Sequence, residues 1–115
     1  MKGKQDRNDD AKDLYVKAAN CYKLAQDYNS ALECYMECIR CEEDEADCAP
    51  YYRDAANCVK ETDIDKYVSL TRKAIDLYSL SGRASTGAGM AKECATLLEE
   101  SYDYESAIEL YTKAA

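Results

Sequence analysis

Four cysteines, Cys34, Cys38, Cys41 and Cys48, fall within fifteen residues, and Cys38 with Cys41 forms a Cys-x-x-Cys. Four thiolates can hold zinc tetrahedrally, and because the chain has no histidine such a site would be all-cysteine or would borrow carboxylate. The spacing lacks the two-plus-two knuckle arrangement, and the first three cysteines share one helical segment at positions where small residues pack. They read as packing thiols, with no metal site. Gly82-Arg83-Ala84-Ser85-Thr86-Gly87-Ala88-Gly89 has the glycine density of a phosphate loop, but it lacks the Lys-Ser/Thr after the second glycine and follows a helix instead of a strand. It is a helix start rich in small residues. Without histidine, and with no serine, cysteine or lysine beside an evident base, acid–base or nucleophilic catalysis has nothing to stand on, so neither an enzyme nor a cofactor is expected.

The elements that would position any site come from an internal repeat. Asp27-Tyr28-Asn29-Ser30-Ala31-Leu32-Glu33-Cys34-Tyr35 returns 76 residues later as Asp103-Tyr104-Glu105-Ser106-Ala107-Ile108-Glu109-Leu110-Tyr111, with a degenerate copy between. The unit is therefore near tetratricopeptide length, roughly 34 residues or a little more, and each unit is a helix pair. Small residues recur at Ala19, Ala56 and Ala95, where two helices cross closely, with Tyr22, Val59 and Leu98 three positions on. The fold class this predicts is all-α: a right-handed superhelix of three antiparallel hairpins, about six helices.

The periodicity predicts helices over residues 11–26 and 30–41, from about 47 to 61, then over 64–80, 85–101 and 104 to the end. Leu14, Ala18, Cys21, Tyr22 and Ala25 make the apolar face of the first helix. Pro50 belongs in a first turn, and Gly82 supplies a left-handed stop. Residues 1–10 read as a polar leader without regular structure and 11–115 as one helical-repeat domain. The pattern of the sixth helix runs to Ala115 without a cap, which predicts a fragment of a longer array, with an unfinished end able to self-associate.

A net charge of −8 argues against nucleic acid or an anionic membrane as a partner for the whole surface. No apolar run is long enough to span a bilayer and no signal peptide is evident, so the seven cysteines read as reduced thiols in a cytosolic setting. The acidic run Glu42 to Asp47 reads as a solvated loop. Eleven tyrosines replace all Phe and Trp. Tyr22, Tyr35, Tyr78 and Tyr111 are expected in the core, Tyr28, Tyr102 and Tyr104 at exposed turns, and Tyr51 and Tyr52, being adjacent, cannot both face inward. In a helix-pair solenoid the first helices line the concave side, which puts Lys17, Lys23, Arg53, Lys60, Arg83 and Lys92 in position to form a basic strip for an acidic rod-like partner.

Several segments, in order, resemble the soluble NSF attachment proteins, which couple SNARE bundles to the NSF ATPase. Tyr15-Val16-Lys17-Ala18-Ala19-Asn20-Cys21-Tyr22-Lys23-Leu24-Ala25 is similar to the first full helix of that family, and Asp54-Ala55-Ala56-Asn57-Cys58-Val59-Lys60 to its next A-type helix. Lys73-Ala74-Ile75-Asp76-Leu77-Tyr78 followed by Gly82-Arg83 is similar to its Ala-Ile-Glu-Ile-Tyr segment ending at Gly-Arg, and Glu105 to Tyr111 to the helix one unit on. The resemblance implies a non-catalytic cytoplasmic adaptor, held to membranes through SNAREs, that lies along a SNARE four-helix bundle and links it to the ATPase in vesicle fusion and intracellular protein transport. It also implies that Arg83, and more loosely Lys60 and Lys23, face the acidic bundle. The family's phenylalanine-rich membrane loop has no counterpart before the first helix, its ATPase-engaging C-terminal segment has none here, and Gln26 and Gly89 stand where lysines would strengthen the strip.

The alternative reading is a general tetratricopeptide adaptor that grips peptide tails. Val16 stands where a carboxylate clamp needs lysine, and Gly89 and Glu93 where it needs a basic pair, so that version is disfavoured while other peptide modes stay open.

Overall fold

The computed structural model describes residues 4–115, with side chains from residue 8 onward. The order is α1 (Lys4–Leu24), α2 (Tyr28–Cys41), a 3-10 turn (Glu45–Cys48), α3 (Ala49–Val59), α4 (Ile64–Leu80), α5 (Ala84–Glu100) and α6 (Tyr104–Ala114). Each helix packs on the one before and the one after it, giving a slab of 53 × 33 × 16 Å. The all-α hairpin expectation holds. The core runs along the slab instead of filling a centre, as stacked units require.

Sequence explains the boundaries. Asp27, Asp63 and Asp103 cap the second helix of each hairpin, each side chain accepting from a backbone N–H three residues on, that of Ser30, Lys66 or Ser106, at 3.1–3.2 Å. Three chain reversals share a left-handed residue after the helix: Gln26 (φ 62°), Gly82 (φ 78°) and Tyr102 (φ 63°). In each, the next amide donates to a carbonyl five residues back, Asp27 to Tyr22, Arg83 to Tyr78 and Asp103 to Leu98, at 2.7–2.9 Å. This closes the orphan carbonyls of α1, α4 and α5. The break between α3 and α4 has no such residue.

Ala19, Ala56 and Ala95 are buried, as are Ala31 and Ala107 of the repeated motif. At Gly87 a Cβ would meet the Ile75 carbonyl oxygen at 3.4 Å, so the small-residue start of α5 serves its crossing with α4. Pro50 lies in the first turn of α3.

Several expectations are corrected. Residues 4–10, read as part of an irregular leader, belong to α1, and residues 1–3 lie outside the described residues. No Pro or Gly interrupts this stretch, and Lys12 pairs with Asp9 one turn back at 3.1 Å. Leu14, Cys21 and Ala25, assigned to the buried face of α1, are exposed, since among the described residues only α2 packs against α1. Tyr22 and Tyr111 are also exposed, whereas Tyr35 and Tyr78 are buried. Tyr51 and Tyr52 are each half-buried against the core. The acidic run is more than a solvated loop: Lys12, itself buried, donates to Glu42 at 2.6 Å, Asp44 caps the 3-10 turn and Glu45 pairs with Lys73 at 2.7 Å.

Candidate functional site

The first helices of the hairpins are α1, α3 and α5, and the alternation of direction puts the C-terminal ends of all three at one edge of the slab. Lys23 sits in the last turn of α1, Lys60 caps α3, and Glu99 takes the same place in α5. Arg83 precedes the first residue of α5 and so lies at the opposite edge. A helix of this length separates the two edges by about 25 Å. The three expected site residues are thus not one cluster.

Each has its own surroundings. The Lys23 ammonium lies 5.5 Å from the centroid of the Tyr35 ring, within cation–π range. Tyr35 is its main partner and holds its pKa above the ordinary lysine range against the opposing effect of burial, with Asp54 and Cys58 of α3 adding to the rise. Lys60 lines a cleft of 280 Å³ with Glu93, Thr96, Leu97 and Glu100 of α5, so two carboxylates share its cleft. The Arg83 guanidinium is exposed and lies 5.6 Å from the centroid of the buried Tyr78 ring. Of the other expected cations, Lys17 and Lys92 are exposed, and Arg53 reaches Asp54 of its own helix at 3.5 Å.

The second helices carry a different electrostatic pattern. Arg72 of α4 pairs with Glu109 of α6, Lys113 of α6 with Asp76 of α4 at 2.7 Å, and Lys73 of α4 with Glu45. These charges are engaged within the chain. The Arg72 contact holds the Glu109 carboxyl below its ordinary range.

The five buried thiols, Cys34, Cys38, Cys48, Cys58 and Cys94, behave as packing groups, whereas Cys21 is exposed and Cys41 half-buried. Cys38 donates to the Lys12 carbonyl at 3.7 Å, and Cys48 shares its S–H between the Ile39 and Asp44 carbonyls at 3.9 Å. Burial pushes Cys38 and Cys94 up to about 11, which disfavours the thiolate needed for metal binding or attack. Among the described residues no group of three His, Cys, Asp or Glu converges as a metal site, and no helix is long and apolar enough to cross a membrane.

A broader groove of 720 Å³ runs beside α1 and α2, with Tyr15, Tyr22, Leu32, Met36, Arg40 and Lys66 on its walls. Sequence reasoning missed both this groove and the tyrosine platforms under Lys23 and Arg83.

The comparisons agree with the fold. The chain is 34% identical over 110 residues to the alpha-soluble NSF attachment protein of Vitis vinifera, covering 93% of this chain and 38% of that protein. It is 28% identical over 117 residues to the beta-soluble NSF attachment protein of Bos taurus, covering 98% and 39%, and 26% identical over 117 residues to the human alpha-soluble protein, covering 98% and 40%. The chain spans about two-fifths of the length of these relatives. A family model of the soluble NSF attachment proteins matches residues 1–115, and the chain belongs to that family.

Proposed function

We propose that this chain is a non-catalytic adaptor segment that lies along an acidic SNARE four-helix bundle and forms part of its link to an NSF-type ATPase, in vesicle fusion and intracellular protein transport. It works in the cytoplasm, associated with membranes through its SNARE partner. The observation that supports this most is the spread of Lys23, Lys60 and Arg83 over three separate helix junctions and both edges of a slab 53 Å long. A rod meets cations spaced in that way, whereas a short peptide needs them gathered in one groove.

Binding of the chain to an assembled SNARE bundle at low and moderate salt tests the proposal. Lys60→Glu and Arg83→Glu should each weaken binding several-fold and flatten its salt dependence. Absence of binding would overturn it.

The groove beside α1 and α2 supports a second reading, a tetratricopeptide-type adaptor for peptides. Its signature is peptide binding that Tyr22→Ala or Met36→Ala removes and Arg83→Glu leaves intact. Self-association through the open face of α6, where Ile108 and Tyr111 are exposed, also belongs to the proposal. Sedimentation at rising concentration tests it, and Ile108→Glu should abolish any dimer.

A further inference from the structure

Two of the three cations in the proposed binding face share a device. Lys23 of α1 lies over the ring of Tyr35 of α2, and Arg83, just before α5, over the ring of Tyr78 of α4. In both cases a cation outside the core meets a tyrosine of the neighbouring second helix, and both rings are buried to within 1%. A long side chain on a surface samples many rotamers, and a ring face at this distance restricts it without neutralising its charge. The Tyr78 hydroxyl is buried with no hydrogen-bond partner, so the ring, and not the hydroxyl, is what this residue offers Arg83.

The third hairpin shows the device changed at corresponding positions. Tyr111 repeats Tyr35, but Glu99 stands where Lys23 would, and the tyrosine turns its hydroxyl to the partner: it donates to Glu99 Oε1 at 3.0 Å and shares a 3.1 Å contact with Thr96 Oγ1. Tyr35 thus meets its cation with the ring and also with the hydroxyl, the largest contributor to the raised Lys23 pKa, whereas Tyr111 meets its carboxylate through the hydroxyl.

We infer that Tyr35 and Tyr78 are positioning residues: their ring faces fix the Lys23 and Arg83 charges in place for an acidic partner. The choice of partner rests on the function proposed above, and the holding of the cations does not.

The experiment has two arms. In the free chain, the Lys23 ε-methylene and Arg83 δ-methylene protons should be shifted upfield by the rings, and Tyr78→Phe should keep the Arg83 shift while Tyr78→Leu loses it. Unshifted methylenes would overturn the inference. In the second arm, binding to the SNARE bundle is measured for wild type, Tyr78→Leu, Arg83→Gln and the double variant, with melting temperature as the check on folding. Tyr78→Leu should weaken binding about two- to five-fold in the wild-type background and have no effect once Arg83 is Gln. An equal loss in both backgrounds would mean that Tyr78 acts through packing alone and would overturn the positioning role. Tyr35→Phe, which keeps ring and fold, should retain the Lys23 shift. Failure of the wild-type chain to bind would overturn the proposed function, while the methylene shifts would still decide whether the rings hold the cations.

Discussion

The first and third hairpins carry the same nine-residue motif and meet different surroundings. Tyr35 is 1% exposed and Leu32 7%, because α3 covers α2; their counterparts Tyr111 and Ile108 are 40% and 64% exposed, because among the described residues only α5 packs against α6. Local features survive the change: both reversals have a left-handed residue, both second helices have an aspartate cap, and both alanines are buried. Sequence therefore dictates the hairpin, and the neighbouring hairpin dictates what the motif's large side chains do. Repeat proteins are expected to divide their stability in this way, between intrinsic and nearest-neighbour contributions.

The largest contrast should come from truncating the repeated tyrosine. Tyr35→Ala should cost about 3–5 kcal/mol by leaving a cavity, whereas Tyr111→Ala should cost under about 1.5 kcal/mol, read from urea denaturation. Equal losses would show that α6 is covered in solution. Leu32→Ala should cost about 2–4 kcal/mol and Ile108→Ala about 0.5 kcal/mol or less.

Alkaline pH should act on both ends alike, since Cys38 in the first hairpin and Cys94 in the third are both pushed up to about 11 from an ordinary 9.0. The unfolded chain releases these protons first. Stability from keeping the thiols neutral is complete below pH 9 and falls as pH rises from 9 to 11. Serine at either position should reduce that loss in a pH series of melting curves.

Smaller effects sharpen the local half of the comparison. Asp27→Ala and Asp103→Ala should each cost about 1 kcal/mol, because the cap geometry is the same at both ends. Gln26→Gly and Tyr102→Gly should each stabilise by roughly 0.5 kcal/mol by relieving a left-handed backbone that glycine adopts freely. A loss at either position would mean that the side chain contributes packing which outweighs that relief.

The hairpins were legible in the sequence because the repeat, the aspartates and Gly82 are local signals. The extension of α1 back to Lys4 was not, since its residues are polar and carry no apolar period. The exposure of Tyr22 and Tyr111 was hidden because periodicity reports which face is apolar and is silent on whether a neighbour covers it. For the candidate site, the residue types were legible but their separation was not. Assigning Arg83 to the edge opposite Lys23 requires counting chain reversals, and recognising Tyr35 and Tyr78 as platforms requires distances between helices. The change of sign from Lys23 to Glu99 was present in the 76-residue shift.

The ion pairs joining α4 to α6, and Lys73 of α4 to Glu45, have a mechanical consequence. With most helix packing made between neighbours along the chain, the compliances of successive junctions add in series, as in a stack of leaf springs. Exposed ion pairs bridging those junctions act as struts whose strength falls as counterions accumulate. Bending stiffness of the slab should therefore soften with ionic strength while each hairpin stays intact, making the molecule a lever whose rigidity the surrounding electrolyte adjusts.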